Sequence, residues 1–160
     1  MEYNLPSELV KNLDFGGEAK EKVITGVNKL AQAVKSTLGA SGKCVIYEDG
    51  RGKPVITKDG VTVAESVVLY DPVENMGATL IKEAARNTVK EAGDGTTTAT
   101  VLAEALIKQI DTAVADGLTI REIKDGVNET LDSVIEYLDT ISVDVEGDML
   151  KSVSAISCNN

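Results

Sequence analysis

The sequence predicts a mainly α-helical fold, a helical bundle that also contains one small β-hairpin. Three observations support this fold class. Apolar residues recur at three- and four-residue steps over several long stretches, and helix-start and helix-stop residues flank these stretches. One short region is instead rich in β-branched residues and is divided by a glycine-containing turn. Aromatic residues make up only 3% of the 160 residues, so the core must be built from aliphatic side chains.

The first half of the chain is predicted to contain one long helix followed by extended segments. Helical spacing of apolar residues predicts a helix over Glu18–Thr37, with a glycine where it would end. Residues 12–15, just before it, are compatible with a short strand. The runs Cys44–Tyr47 and Pro54–Thr57 flank a turn and predict the hairpin. We expect Val61–Ala64 to be a further short extended segment.

The second half is predicted to be helical. Asp71, followed by a proline and by Glu74, is a typical helix start, and the helix should run over Pro72–Ala92. A second helix should begin near Thr96 and end at Gly117, and a third should begin at a capping box formed by Thr119 and Glu122. Residues 142–147 are expected to be a linker, followed by a short helix or strand over 149–156. The apolar stripes of the last two long helices are predicted to be core: Val101, Leu102, Ala105, Leu106, Ile110 and Val114, then Ile120, Ile123, Val127, Leu131, Val134, Leu138 and Ile141.

Composition narrows the possible functions. The net charge is −10, from 16 basic and 26 acidic residues, which disfavours binding to nucleic acid or to an anionic membrane surface. There is no histidine, and the two cysteines, Cys44 and Cys158, are far apart, which argues against a zinc site or a Cys–His nucleophile. The first residues do not resemble a signal peptide, and no stretch is long enough for a membrane span. We therefore expect a cytoplasmic protein.

The strongest local motif is Gly93-Asp94-Gly95-Thr96-Thr97-Thr98. Glycines allow the backbone to approach a ligand closely, and the start of the helix that follows presents free amides and a positive dipole end. Such an end binds phosphate, the three hydroxyls add donors, and Asp94 could hold Mg²⁺ against the same phosphates. An ordinary capped helix start explains the same residues about equally well.

Two further motifs are weaker. Residues 37–43 form a glycine-containing loop after a helix, but they do not match the Walker A pattern, and a simple helix end is the favoured explanation. Lys58-Asp59-Gly60 is a turn between β-rich runs. Asp59 could orient a water molecule or hold a second cation, although an ordinary Asp-Gly turn is more common.

In combination, these motifs resemble the N-terminal part of the group I chaperonins, the GroEL family. The resemblance runs from about Leu13 to Ser157. Lys58 before Asp59-Gly60, and the run Asn75-Met76-Gly77, are similar to the bacterial and organellar group. The stretches that carry the resemblance are Thr37-Leu38-Gly39, Ile56 to Ala64, Glu74 to Ala78, and Ala92 to Ala103.

The resemblance implies an ATPase site with bound ATP or ADP, Mg²⁺ and K⁺. Asp94 is similar to the Mg²⁺ ligand of the family, and Asp59 to a carboxylate implicated in hydrolysis. Three residues resemble positions that hold K⁺ near the phosphates, namely Thr37, Lys58 and Thr97. The remaining implied nucleotide contacts are Leu38, Gly39, Ala40, Gly95, Thr96 and Thr98.

The resemblance also implies a domain organisation and partners. Residues 1–142 match the first half of the ATP-binding equatorial domain, and residues 143–160 the start of the intermediate hinge domain. The hairpin at 44–57 resembles the stem loop that pairs with a terminal strand of a neighbouring subunit, to which residues 12–15 could contribute. Partners would be other subunits of a homo-oligomeric ring. Unfolded clients and a co-chaperonin would bind through regions that this chain lacks.

Differences from the family pattern qualify the resemblance. Ala40 stands where the family usually has proline, residues 49–53 are unusually rich in glycine and charge, and Asp144 stands where proline is common. They indicate a divergent member, and a phage-encoded one is one hypothesis. Family subunits are much longer, so we expect this chain alone to hydrolyse ATP barely or not at all and to self-associate through uncovered apolar faces. The alternative is a non-hydrolysing equatorial module that acts only in assembly or interaction.

Overall fold

The computed structural model describes residues 13–39 and 41–157. This part of the chain contains six helices and one two-stranded antiparallel hairpin, which confirms the predicted mainly helical fold. None of its helices is long and apolar enough to cross a membrane. In chain order the elements are α1 (Gly16–Lys35), β1 (Val45–Glu48), β2 (Pro54–Thr57), α2 (Gly60–Ser66), α3 (Pro72–Ala92), α4 (Thr96–Ala115), α5 (Ile120–Ile141) and α6 (Asp148–Ser157).

The chain divides into two compact units, one ending at Ile107 and the other beginning at Lys108. The core of the first unit lies between α1, α2 and α3, with partly buried residues of the first half of α4 packed against it. This core is aliphatic, as the low aromatic content of the chain requires. Its buried members are Val27, Leu30, Val34, Val63, Ala64, Ala78 and Ile81.

Two glycines let α1 and α3 approach until their backbones touch. A Cβ atom on Gly26 would fall on the backbone carbonyl of Glu74, and one on Gly77 would fall on the carbonyl of Val23. The contact is reciprocal, because each helix supplies one glycine to the other helix's backbone. Only a residue without a side chain fits at either position, so these glycines set the distance between the two helices.

The α3 boundaries were predicted from capping residues, and the structure confirms them. The Asp71 side chain accepts hydrogen bonds from the amides of Val73 and Glu74, and Gly93 closes the helix with φ 77°. The capping box at the start of α5 is also present, with the Thr119 amide donating to the Glu122 carboxylate at 2.8 Å.

The prediction of an extended segment at Val61–Ala64 was wrong, because these residues lie in α2. The Asp59 carboxylate accepts hydrogen bonds from the amides of Val61 and Thr62 and so starts a helix. Val63 and Ala64 then lie one after the other in the core, with exposed fractions of 0% and 2%. Capping and burial together outweigh the strand preference of the β-branched residues.

The hairpin forms as predicted, with β1 and β2 in antiparallel register. Ile46 pairs with Ile56, and both side chains are about two-thirds exposed, at 68% and 67%. The possible strand at 12–15 begins outside the described residues, and its described part, residues 13–15, has no regular secondary structure.

The predicted buried stripe of α4 was wrong in large part. Leu102 and Leu106 are exposed by 58% and 49%, and the buried residues of this helix are Thr96, Thr100 and Glu104. The helix is rotated so that the threonine and glutamate face, together with Ala103 and Ile107, meets the core.

The predicted core stripe of α5 is also exposed. Leu131 and Leu138 are each 52% accessible, and no residue of this helix is buried. Residues 142–147 form the expected linker, and the ambiguous segment after them is the helix α6.

Candidate functional site

The loop after α1 contains the first group of predicted site residues. The Thr37 hydroxyl donates to the carbonyl of Val34 at 2.7 Å, and the Lys43 amide donates to the carbonyl of Ser36 at 2.8 Å, which closes the loop. Gly39 has φ 73°, a conformation that favours glycine. Leu38 is 46% exposed. Ala40 lies outside the described residues.

Asp59 is the N-cap of α2. Its Oδ2 accepts from the Thr62 hydroxyl at 2.5 Å and from the Thr62 amide at 2.8 Å. Burial raises the pKa of this carboxyl, but the hydrogen bonds from Thr62 and Val61 lower it by more, so the pKa lies below its ordinary value. Asp59 is therefore ionised at neutral pH, and it is held by α2 rather than mobile on a turn. Lys58, beside it, is exposed.

The segment that leads into α4 has the backbone conformation that the glycines suggest. Gly93 and Gly95 have φ values of 77° and 92°. The Gly95 amide donates to Oδ1 of Asp94 at 2.6 Å, while the Asp94 side chain remains exposed. The three threonines that follow differ in burial: Thr96 is buried, Thr97 is half-buried and Thr98 is exposed.

Gly60 brings two of the predicted motifs together and lies beside the helix that leads into the third. A Cβ atom on this glycine would collide with Oγ1 of Thr97 and would lie 3.5 Å from Cγ1 of Val34. The turn at Lys58–Gly60 therefore packs directly between the start of α4 and the last turns of α1, which lead into the Thr37 loop. Three segments separated in sequence are thus brought to one place.

A buried polar face on α4 also reaches this region, and the sequence reasoning missed it. The Thr100 hydroxyl is fully buried and donates to the carbonyl of Thr96 at 2.9 Å. One turn further, the buried Glu104 lies 3.9 Å from Nζ of Lys35 in the last turn of α1. The four-residue spacing of these polar side chains places them on one face of α4 and could have predicted their burial. The more numerous apolar residues of the same helix predicted a different buried face.

The arrangement has the chemistry of a phosphate site. The first amides of any α-helix lack intrahelical acceptors, and the dipole makes that end positive. At α4 these amides follow a glycine-rich turn and stand beside the Thr97 and Thr98 hydroxyls. Asp94 uses Oδ1 in its hydrogen bond to Gly95, which leaves Oδ2 for a cation.

The donor set suits a cation shared with phosphate better than a metal bound by protein alone. Among residues 13–39 and 41–157, no group of three or more His, Cys, Asp or Glu side chains could hold a metal ion. Mg²⁺ commonly takes one or two carboxylates and completes its shell with phosphate oxygens and water. The single exposed carboxylate of Asp94, beside the open amides at the start of α4, fits that pattern.

A groove of about 570 Å³ lies elsewhere, beside the first turns of α1 and α3. It is lined mainly by apolar side chains such as Phe15, Val23 and Met76, and none of the predicted site residues lines it. It offers few donors to a phosphate group, so the candidate site is placed by backbone conformation and hydrogen-bonding groups rather than by cavity size.

The family model described as the TCP-1/cpn60 chaperonin family matches residues 30–160. The matched region covers most of the chain and includes every predicted site residue.

Proposed function

Because the chain belongs to the TCP-1/cpn60 chaperonin family, which acts in protein folding, we propose that it carries the phosphate-binding part of an ATPase site. ATP binding and hydrolysis at this site would drive the folding work of an oligomeric ring. The observation that carries the proposal is the position of Gly60 between Thr97 and Val34, which places the turn at residues 58–60 against the start of α4 and beside the helix that leads into the Thr37 loop.

The start of α4 is the proposed phosphate cradle. The amides of Thr96 to Thr98, which follow the turn at Gly95, and the hydroxyls of Thr97 and Thr98 would donate to the β- and γ-phosphate oxygens. Asp94 would hold Mg²⁺, which neutralises charge on those phosphates when bound. Its exposure and available Oδ2 support this role.

Asp59 is the proposed hydrolytic carboxylate. Its pKa lies below the ordinary range, so it is an ionised hydrogen-bond acceptor and not a proton donor at neutral pH. An acceptor of this kind can orient an attacking water, and its fixed position as the cap of α2 preorganises it. Catalysis here would be mainly electrostatic and positional.

The proposed K⁺ site uses Thr37, Lys58 and Thr97. The Thr37 hydroxyl donates its proton to Val34, so its oxygen lone pairs can still face a cation. Lys58 could contribute only its backbone carbonyl, because its ammonium group repels a cation. Leu38, Gly39 and Ala40 would complete the wall of the nucleotide site beside this ion.

The finer assignment to the group I chaperonins rests on Lys58 and on the run Asn75-Met76-Gly77. Two of these residues have evident packing roles. Asn75 Oδ1 accepts from the Leu69 amide at 3.0 Å, and Gly77 makes the close contact with Val23. Ring neighbours, unfolded clients and a co-chaperonin are the proposed partners.

Calorimetry with Mg-ADP tests the proposal. We expect binding to the wild type, loss of that binding in Asp94→Ala, and little ATP hydrolysis by the chain alone. Asp94→Ala removes an exposed side chain, so circular dichroism should show an unchanged fold. Absence of heat at millimolar Mg-ADP would reject the site and favour the alternative of a non-hydrolysing equatorial module.

A further inference from the structure

The C-terminal end of α2 is tied to α3 by a buried lysine. Lys82 lies on α3 and is only 9% exposed, and its ammonium group donates to the backbone carbonyls of Val67 and, at 3.4 Å, of Glu65. Burial lowers the pKa of this lysine, although the nearby Glu65 carboxylate opposes that effect. A buried ammonium group aimed at two carbonyls acts as a cap for the end of α2.

A second contact fastens the same end. Arg86, one turn further along α3, donates from Nε and Nη2 to the two carboxylate oxygens of Glu65, both at 2.6 Å. Two parallel bonds of this kind fix orientation as well as distance. We refer to Lys82, Arg86 and Glu65 as the α2 clamp.

The other end of α2 is part of the candidate site. Asp59 caps this end, and Gly60 packs against Thr97. The helix has seven residues and is therefore about 10 Å long, too short to bend appreciably. Its core residues Val63 and Ala64 fix its sides. A displacement at the clamped end would therefore be transmitted to Asp59.

We propose that Lys82 is a positioning residue for the nucleotide site, holding α2 so that Asp59 and Gly60 stay against the start of α4. Arg86 and Glu65 support it. This inference rests on the proposed function, and it adds a residue that would touch neither nucleotide nor metal. The competing explanation is that Lys82 only satisfies the carbonyls of the connection between α2 and α3.

Lys82→Met separates the two explanations, because it keeps an unbranched apolar stem of similar length and removes the ammonium group. Hydrogen exchange of the Val61, Thr62 and Val63 amides, which bond to Asp59 at the far end of α2, is the first measurement. We expect these amides to exchange about ten-fold faster than in the wild type. Calorimetry with Mg-ADP should show affinity about ten-fold weaker, as is typical when a supporting residue is removed.

Lys124→Met is the matched control, since it makes the same substitution at an exposed helical position of the second unit. It should change neither quantity. If Lys82→Met does not fold, Arg86→Gln weakens the clamp at a half-exposed position and should change both quantities in the same direction by about three-fold.

The outcomes separate this inference from the proposed function. Unchanged exchange at Val61 to Val63 in folded Lys82→Met overturns the positioning role, whatever the nucleotide result. Faster exchange with unchanged Mg-ADP affinity also overturns it. If the wild type binds no Mg-ADP, the proposed function fails, while faster exchange in Lys82→Met still supports transmission through α2.

Discussion

Replacing Gly26 by alanine tests how the first unit is held together. The added methyl would fall on the backbone carbonyl of Glu74, far inside van der Waals contact. A main-chain carbonyl cannot rotate away as a side chain can, so α1 and α3 would have to separate. Their separation would loosen the packing of Val27, Leu30 and Ile81.

The change in the free energy of unfolding of Gly26→Ala is the sum of two opposing effects. Overpacking a close contact costs up to about 3 kcal/mol, and here the upper value applies because the obstacle is backbone. Alanine in a helix interior regains about 1 kcal/mol relative to glycine. The net loss is about 2 kcal/mol, which should lower the melting temperature by roughly 4–8 °C for a chain of this size.

Gly126→Ala is the control for the propensity term. Gly126 lies inside α5, and a Cβ atom there would meet nothing within 4 Å. This variant should be stabilised by about 0.5–1 kcal/mol, because only the helix preference changes. Thermal unfolding followed by far-UV circular dichroism measures both variants. If Gly26→Ala melted at or above the wild-type temperature, the close α1–α3 contact would be refuted.

Two further predictions concern charge and surface. Lys22 and the first amides of α3 lower the pKa of Asp71, so the stability it contributes is complete at neutral pH and is lost as the pH falls through the lowered pKa. In Asp71→Asn, the free energy of unfolding should therefore fall less steeply with decreasing pH below pH 3.8 than it does in the wild type. An equally steep fall in the two proteins would contradict this. The exposed α5 stripe should cause concentration-dependent self-association in light scattering, which Leu131→Lys should weaken. A wild type that stays monomeric at all concentrations would refute this.

The sequence predicted the elements that local chemistry determines. The α3 helix was bounded correctly because Asp71 and Gly93 act on neighbouring backbone groups. The hairpin and the capping box of α5 were found for the same reason. The α2 helix was not predicted because the pattern of its apolar residues favours a strand. Asp59 was interpreted as part of a turn, so its role as the N-cap of α2 was not recognised.

Contacts between distant residues could not be predicted in the same way. Examples are the reciprocal glycine contacts of α1 and α3 and the burial of Lys82. Both depend on how the helices pack against each other, which the local sequence pattern does not indicate. The rotation of α4 was mispredicted because its apolar side chains outnumber the three polar residues that face inward. The site residues stay a prediction from their motifs, and the contact of Gly60 with Thr97 became visible only in the structure.

A nuclear magnetic resonance titration of the backbone amides with Mg-ADP tests whether the start of α4 is the phosphate cradle. We expect the first and largest shifts at Gly95 to Thr98, with further shifts at Gly60 and in the loop at Thr37 to Gly39. Shifts confined to α5 or to the groove at Phe15, with the amides at the start of α4 unmoved, would contradict it.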